Sequence, residues 1–287
     1  MQQLKIFVEL TRLNKPIGYM LLFWPCSWGL AYAYYFNNTF NLFLYYLVLF
    51  FLGSVLMRSA GCIFNDIVDK DFDKKVNRTK FRPIASGKIS IKQSFVYVIL
   101  LCSIALLILL QFNLLTITLG LSSMFLAFAY PYMKRITYWP QLFLGITFNW
   151  GVIMAWASVN NNISLEIIIL YISAIFWTLG YDTIYGAQDI SDDEIIGLKS
   201  TSVKFKKNIN QFVASMYLMS ILLICYLFKN EIGYNIFTLL LSLFLFSLIF
   251  QVFIFDKKKK KSCLKMFKTN NLSGLFLFLS ILTLIIK

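Results

Sequence analysis

The sequence contains no histidine. That excludes Ser-His-Asp and Cys-His nucleophilic sites, His-ligated zinc and His-ligated haem. Charge is scarce as well: 14% of the 287 residues are Asp, Glu, Lys or Arg, against about 25% in soluble domains. Acids are the scarcer sign, 13 of them against 27 Lys and Arg. Any chemistry therefore falls to carboxylates, amides, tyrosines and cations. No CxxC spacing exists, and Cys26, Cys62, Cys102, Cys225 and Cys263 read as reduced packing residues. What is abundant is apolar: 59% of the chain is hydrophobic and 29 residues are Phe. A soluble fold of this size has too much surface for so few polar side chains. The composition points to lipid as the solvent.

A membrane helix needs roughly 20 mainly apolar residues. Residues 16–57 carry no charge at all and are long enough for two spans, divided by the polar cluster Asn37, Asn38, Thr39 and Asn41. Similar breaks at Gln111-Phe112-Asn113 and Asn160-Asn161-Asn162 divide the later runs. The expectation is an all-α polytopic membrane protein, a single domain over 1–287. Its nine spans fall at about 16–36, 41–66, 93–111, 114–132, 138–158, 163–186, 209–229, 232–255 and 270–286. This count puts 24 of the 27 cations in five segments on one side, leaving Lys229 and Lys287 opposite and Arg58 inside the second span. By the positive-inside rule that side is cytoplasmic. The predicted location is thus a bacterial inner membrane, with the N-terminus and the acid-bearing loops on the cytoplasmic side. Lys5 and Glu9 interrupt the first residues, which do not read as a cleaved signal peptide. The formal net charge of +14 needs no nucleic-acid partner, because topology and anionic lipid headgroups account for it. The run Lys257 to Lys261 reads the same way.

Most of the acid is concentrated at two helix ends on one face. Asp66, Asp69, Asp71 and Asp73 follow the second span; Asp189, Asp192, Asp193 and Glu194 follow the sixth, with Asp182 one to two turns inside it. In Asn65-Asp66-Ile67-Val68-Asp69-Lys70-Asp71-Phe72-Asp73, helical spacing stacks Asn65, Asp69 and Asp73 on one face with Asp66 beside them. Like charges at that spacing repel, so a bridging cation is expected. Oxygen ligands without histidine suit Mg²⁺, which takes few carboxylates and completes its octahedron with water and substrate phosphate. The second cluster repeats the pattern: Gln188-Asp189-Ile190-Ser191-Asp192 echoes the first, and Asp189 and Asp193 are again four apart. Asp182, seven before Asp189, is expected on the same face. The plain alternative for either cluster is a solvated acidic helix end, and two matched clusters argue against it.

Cations accompany both clusters: Arg78, Lys80, Arg82 and Lys88 after the first, Lys199 after the second. Basic residues beside carboxylate–metal groups suit a diphosphate. In a lipid-facing cavity, the fitting ligand is a polyisoprenyl diphosphate with its tail among Phe and Leu side chains. Arg58 stands inside a span, seven residues before Asn65, where a charge is costly and usually functional. It suits an anionic group such as a carboxylate on a second substrate. The alternative is an internal ion pair with Asp182.

These residues resemble the 4-hydroxybenzoate polyprenyltransferases of the UbiA superfamily over nearly the whole chain. The 65–73 segment matches the family's NDxxDxxxD, and Asp189-Ile190-Ser191-Asp192-Asp193 matches its DxxDD, with Lys199-Ser200-Thr201 following. Flanking stretches agree: RLNKPIGYMLLFWPCSW from Arg12, MRSAGC from Met57, VNRTKFRPIASGKIS from Val76, YPYMKRITYWPQ from Tyr130 and GYDTIYGAQD from Gly180. The resemblance implies a nine-helix bundle around a central cavity open to the bilayer. It also implies Mg²⁺-dependent transfer of a polyprenyl chain to the carbon ortho to the hydroxyl of 4-hydroxybenzoate, in ubiquinone biosynthesis. Asp66, Asp69, Asp73, Asp189 and Asp193 would hold Mg²⁺ and diphosphate, with Asn65 assisting. Arg78, Arg82, Lys88, Lys134, Arg135 and Lys199 would contact diphosphate. Arg58 and Arg12 would take the benzoate carboxylate, with Tyr130, Asp182 and Tyr185 lining the cavity. The implied partners are the two substrates and membrane lipid, with no nucleic acid and no obligate protein. Two departures stand out: Gly186 where the family usually has alanine, and Lys204-Phe205-Lys206-Lys207 in place of a Phe-Gly turn. Another acceptor (haem, a naphthoate) and an ion-coupled transporter are the competing functions. The transporter predicts acids near the bilayer midplane, whereas these lie at one face.

Overall fold

A computed structural model of the chain describes residues 2–37, 40–76 and 79–286. Its helices are α1 (Gln2–Thr11), α2 (Ile17–Asn37), α3 (Phe43–Val68), α4 (Lys70–Asp73), α5 (Ile91–Leu109), α6 (Leu114–Ile136), α7 (Pro140–Asn160) and α8 (Leu165–Gly186). After a 3₁₀ turn at Ala187–Asp189 come α9 (Ile190–Ile196), α10 (Thr201–Lys204), α11 (Ile209–Leu227), α12 (Ile236–Ile254) and α13 (Lys260–Thr283). There is no strand among the described residues. The all-α expectation is met. Seven helices are long and apolar enough to cross a membrane: α3, α5, α6, α7, α8 (with its extension to Ile196), α11 and α12. α2 and α13 run 21 and 24 residues but fall outside that group.

Capping residues set the helix starts, Asn113 at one of the polar breaks. The Asn113 side chain accepts from the Thr116 amide at 2.9 Å, Asn235 accepts from Thr238 at 2.8 Å, and Ser90 forms a capping box with Gln93. The interhelical amides are also tied together at the cation-poor end. Asn37 donates to Asn160 at 2.7 Å, and Asn113 donates to the Ala157 carbonyl at 2.7 Å. α13 differs from expectation by starting ten residues early. Cys263 and Met266 are buried while Lys261 and Lys265 are exposed, so an amphipathic lysine-bearing stretch continues the helix out of the apolar run.

α2, α7 and α8 form the middle of the bundle. α2 packs on α3, α7 and α13; α8 packs on α7, α11 and α13. The α2–α7 crossing is close because Gly29 lies on the α7 backbone, where a Cβ would collide with the Val152 carbonyl. On the α8–α11–α12–α13 side the interior holds a neutral polar network. Trp177 donates to Asn270 at 2.8 Å, while Asn270 (2.7 Å) and Tyr217 (2.8 Å) both donate to Gln251. Each of these hydrogen bonds satisfies a group that lipid would leave unpaired. Outward-facing apolar side chains such as Phe125 and Phe253 are about four-fifths exposed, at 81% each. The cation-bearing N-terminal segment, outside the nine expected spans, forms the helix α1. Its Leu10 packs into a small second core with Ile63, Ile84 and Ile89, which pins α1 and the 79–90 segment over the ends of α3 and α5.

Candidate active site

The first acid motif keeps its helical path. α3 ends at Val68, yet the Asp69 amide donates to the Asn65 carbonyl at 2.9 Å and the Asp73 amide to the Asp69 carbonyl at 2.8 Å. The four-residue stacking therefore continues through Asp69 into α4. Asp66, Asp69 and Asp73 are 2%, 1% and 7% exposed. Burying three carboxylates together requires cations. Arg82 bridges two of them, with Nη1 at 2.9 Å from Asp66 and 2.8 Å from Asp73. Arg12 Nη2 lies 2.6 Å from the same Asp66 oxygen. Lys134 pairs with Asp69, and Arg135 reaches it at 3.4 Å. Asn65 donates to Asp69 at 3.0 Å.

Two local devices deliver these cations. Arg12 follows α1 with φ of 56°, the left-handed conformation that turns the chain back at a helix C-terminus. It costs an L-residue about 1–2 kcal/mol, and the Asp66 contact is what that turn achieves. The 79–90 segment is anchored by buried Ile84 and Ile89 and by Thr79, whose hydroxyl donates to the Asp73 carbonyl at 3.0 Å. Burial would weaken the Arg12 guanidinium's hold on its proton. Its neighbours Cys62, Asp66 and Tyr185 outweigh that and raise its pKa. Burial pushes the Asp73 carboxyl above its ordinary value, with Arg82 opposing and Asp66 and Asp69 adding to the rise.

The second motif takes a different path. α8 gives way to the 3₁₀ turn at Ala187–Asp189 before α9 begins, so the expected seven-residue stacking of Asp182 on Asp189 is broken. Gly186 marks the place: a Cβ there would lie 2.6 Å from Ser202 Oγ on α10. With Ser202 donating to the Thr183 carbonyl at 2.8 Å, the α8–α10 approach explains glycine where alanine is usual. α9 ends at Gly197 with φ of 78°. The chain then returns to the first motif's cations, the Lys199 amide donating to the Lys134 carbonyl at 2.8 Å. The Lys199 ammonium donates to the Ile136 carbonyl at 3.1 Å. In the other departure, Phe205 stacks on Phe212 at 4.1 Å and Lys204 lies 4.6 Å over the Trp139 ring. That turn is therefore a packed aromatic corner.

Both motifs open onto one cavity of about 1300 Å³. Its charged end carries Asn65, Asp66, Asp69, Asp73, Asp189, Asp193, Arg12, Arg82, Lys134 and Lys199. Arg58, Tyr130, Asp182 and Tyr185 also line it, and deeper walls of Phe50, Leu109, Phe112 and Met154 are apolar. Arg58 has no ion-pair partner within 4.0 Å among the described residues and lies 5.1 Å over the Phe148 ring. The Asp182 ion-pair alternative is not what the geometry gives. Lys88 and Arg135 are exposed and off the cavity wall, Arg135 sitting 4.9 Å over Phe72. Arg78 lies outside the described residues. Four further charged residues on the wall carry no role in the sequence reading: Glu9, Lys15, Asp192, within the second motif, and Lys268. Lys268 carried no signal because it reaches the cavity only through the early start of α13.

The sequence matches the UbiA prenyltransferase family over residues 22–281. The chain belongs to the UbiA prenyltransferase family. Among curated UbiA relatives, the rat and human proteins named 4-hydroxybenzoate polyprenyltransferase, mitochondrial, are each 40% identical. Each alignment covers 97% of this chain, and 74% and 75% of the respective relatives. The Caenorhabditis elegans protein of the same name is 46% identical over 74% of this chain and 59% of its own. The fold agrees with solved UbiA homologues. An apo structure from Aeropyrum pernix superposes with a TM-score of 0.78 at 24% identity, covering 93% of this chain and 98% of that one. A homologue from Archaeoglobus fulgidus bound to DMAPP and Mg²⁺ has a TM-score of 0.71 at 17% identity, covering 96% and 99%. The expected bacterial inner membrane is corrected by these matches. The relatives are named as mitochondrial enzymes of eukaryotes, so this UbiA protein is an integral membrane protein whose bacterial placement is not supported. The positive-inside bias orders the loops by side; it does not name the membrane.

Proposed function

We propose that this UbiA protein is a 4-hydroxybenzoate polyprenyltransferase, a single membrane domain of nine spans over 1–287. The observation that carries this reading is the one cavity that joins both acid motifs, their cations and a long apolar wall. A diphosphate head fits the charged end, and an isoprenoid tail fits the apolar walls of α5, α6 and α7.

The residues fit Mg²⁺ by the chemistry of their donors, which are carboxylate and amide oxygens only. Among the described residues no three acidic or sulfur side chains converge closely enough to hold a metal by themselves. Mg²⁺ does not need that: it takes one or two carboxylates and completes its shell with phosphate oxygens and water. Asp66, Asp69 and Asp73 with Asn65 would hold one side, Asp189 and Asp193 the other. When bound, Mg²⁺ neutralises diphosphate charge as it departs.

Arg82, Lys134 and Lys199 supply positive charge around the same diphosphate, with Lys88 and Arg135 further out on the same loops. Loss of diphosphate leaves an allylic carbocation on the prenyl chain. The ring carbon ortho to the acceptor's hydroxyl forms the new C–C bond, and its proton departs. Arg58, held over Phe148 with no competing carboxylate within ion-pair distance, suits the acceptor's carboxylate. Tyr130, Asp182 and Tyr185 shape the space between Arg58 and the charged end. Arg12 is committed to Asp66 and supports that carboxylate.

Purified protein is incubated with Mg²⁺, a set of polyprenyl diphosphates and 4-hydroxybenzoate, and the products are weighed by mass spectrometry. The expected product is prenylated 4-hydroxybenzoate, absent without Mg²⁺. Product with a naphthoate or haem and none with 4-hydroxybenzoate would overturn the acceptor assignment.

A further inference from the structure

A second, smaller cavity of about 480 Å³ lies behind the second acid motif, away from the catalytic one. Lys206 and Lys207 come to it from the loop after α10, Lys257 and Lys258 from the turn between α12 and α13, and Lys260 from the first position of α13. Glu194 is the one carboxylate on its wall among the described residues. The two lysine loops are joined: Lys257 Nζ donates to the Lys206 carbonyl at 2.5 Å. Lys206 pairs with Glu194, and Lys260 stands 4.0 Å from Asp192. Lys207 and Lys258 have no side-chain ion pair among the described residues. Five ammonium groups, set against Glu194 on the wall and Asp192 beside Lys260, leave a surplus of positive charge in a concave site.

The surroundings say what kind of anion fits. α12 ends at Ile254, three residues before the wall residue Lys257, with Phe253 at 81% and Ile254 at 49% exposure, and Ile195, next to the wall residue Glu194, is 85% exposed. An apolar face running up to a ring of lysines is complementary to a lipid: acyl chains along the face, headgroup phosphate among the ammonium groups. A small soluble anion would use the lysines and leave the apolar face without a role.

We propose that this cavity is a binding site for the headgroup of an anionic phospholipid, formed by the 206–207 and 257–260 segments and separate from the diphosphate site. The lipid phosphate takes Lys207 and Lys258 first and competes with Glu194 for Lys206.

Full-length protein in detergent is titrated with phosphatidylglycerol and, separately, phosphatidylcholine, and bound lipid is counted by native mass spectrometry. Phosphatidylglycerol is expected to bind the more tightly. Lys207→Gln with Lys258→Gln should weaken its tightest site by roughly fivefold per lysine removed. Lys5→Gln with Lys92→Gln removes the same charge from exposed positions elsewhere on that face and should leave the tight site intact. Glu194→Gln should tighten it, an outcome that a folding defect does not produce. Equal weakening by both lysine pairs would reduce the effect to diffuse surface charge and overturn the site. Displacement of the lipid by inorganic diphosphate at equal concentration would overturn the lipid assignment.

Discussion

Asp66, Asp69 and Asp73 lie nearly buried under Arg12, Arg82, Lys134 and Arg135. Asp189, Asp192 and Asp193 lie half-exposed across the same cavity, beyond a 3₁₀ turn and on a helix of seven residues. The sequences of the two motifs nearly repeat, but their supports do not. The first is built on an unbroken helical path and locked by ion pairs from three other segments. The second is set by a change of helix type where Gly186 meets Ser202, and its chain then returns to Lys134 through Lys199. The difference teaches that the first half is preorganised by charge and the second by backbone geometry. The Lys199–Lys134 backbone link joins the two.

Substitutions can break this comparison, and the largest effect should come where both halves agree. Asp66→Ala and Asp189→Ala should each lower turnover by on the order of a thousandfold or more, since on the proposed reading each removes charge that would hold Mg²⁺. Their stabilities should then diverge. Asp66→Ala strands Arg12 and leaves Arg82 with Asp73 alone, each guanidinium 24% exposed at the side chain, and should lower the melting temperature clearly. The cost stays below the ~3–5 kcal/mol of breaking a fully buried pair, because both guanidiniums reach solvent. Asp189→Ala removes a half-exposed carboxylate and should cost less stability than Asp66→Ala. Equal melting losses would erase the distinction between the two halves.

A smaller effect is expected from Arg82→Gln, which unbridges Asp66 and Asp73. Turnover should fall about 10- to 100-fold, with a lower melting temperature. Arg58→Ala should raise the KM of the aromatic acceptor more than that of the prenyl donor; the reverse split would move Arg58 to the diphosphate. The smallest effect concerns pH. Asp73 has a folded pKa raised above 3.8, so the folded state holds that proton more tightly than the unfolded chain. Its stabilising contribution is present below 3.8 and is lost as pH rises through the raised value. In chelator, Asp73→Asn should flatten the melting-temperature profile over that acid window and raise stability slightly at neutral pH, while turnover is lost.

Much of this was legible because the bilayer imposes simple rules. Long apolar runs broken at Asn37, Asn113 and Asn160 gave the helix limits, since those amides cap helices or stitch their ends. The acids were legible because so few exist. Arg12's role was not, because it depends on a left-handed residue after α1 and on Leu10 reaching a core made by Ile63 and Ile84. The break at Ala187–Asp189 was hidden as well: its cause, Ser202 against Gly186, lies 16 residues away in sequence. Gln251 and Asn270 form the neutral interior network, a pairing that only tertiary contact reveals.

The central claim is that two unlike halves make one diphosphate site. Mg²⁺-dependent binding of a polyprenyl diphosphate to detergent-solubilised protein tests it most directly, measured for the parent, Asp66→Ala and Asp189→Ala. Loss of Mg²⁺-dependent binding in both variants, each still folded by its melting transition, is the predicted result. Retention of parental Mg²⁺-dependent affinity in either variant would contradict it.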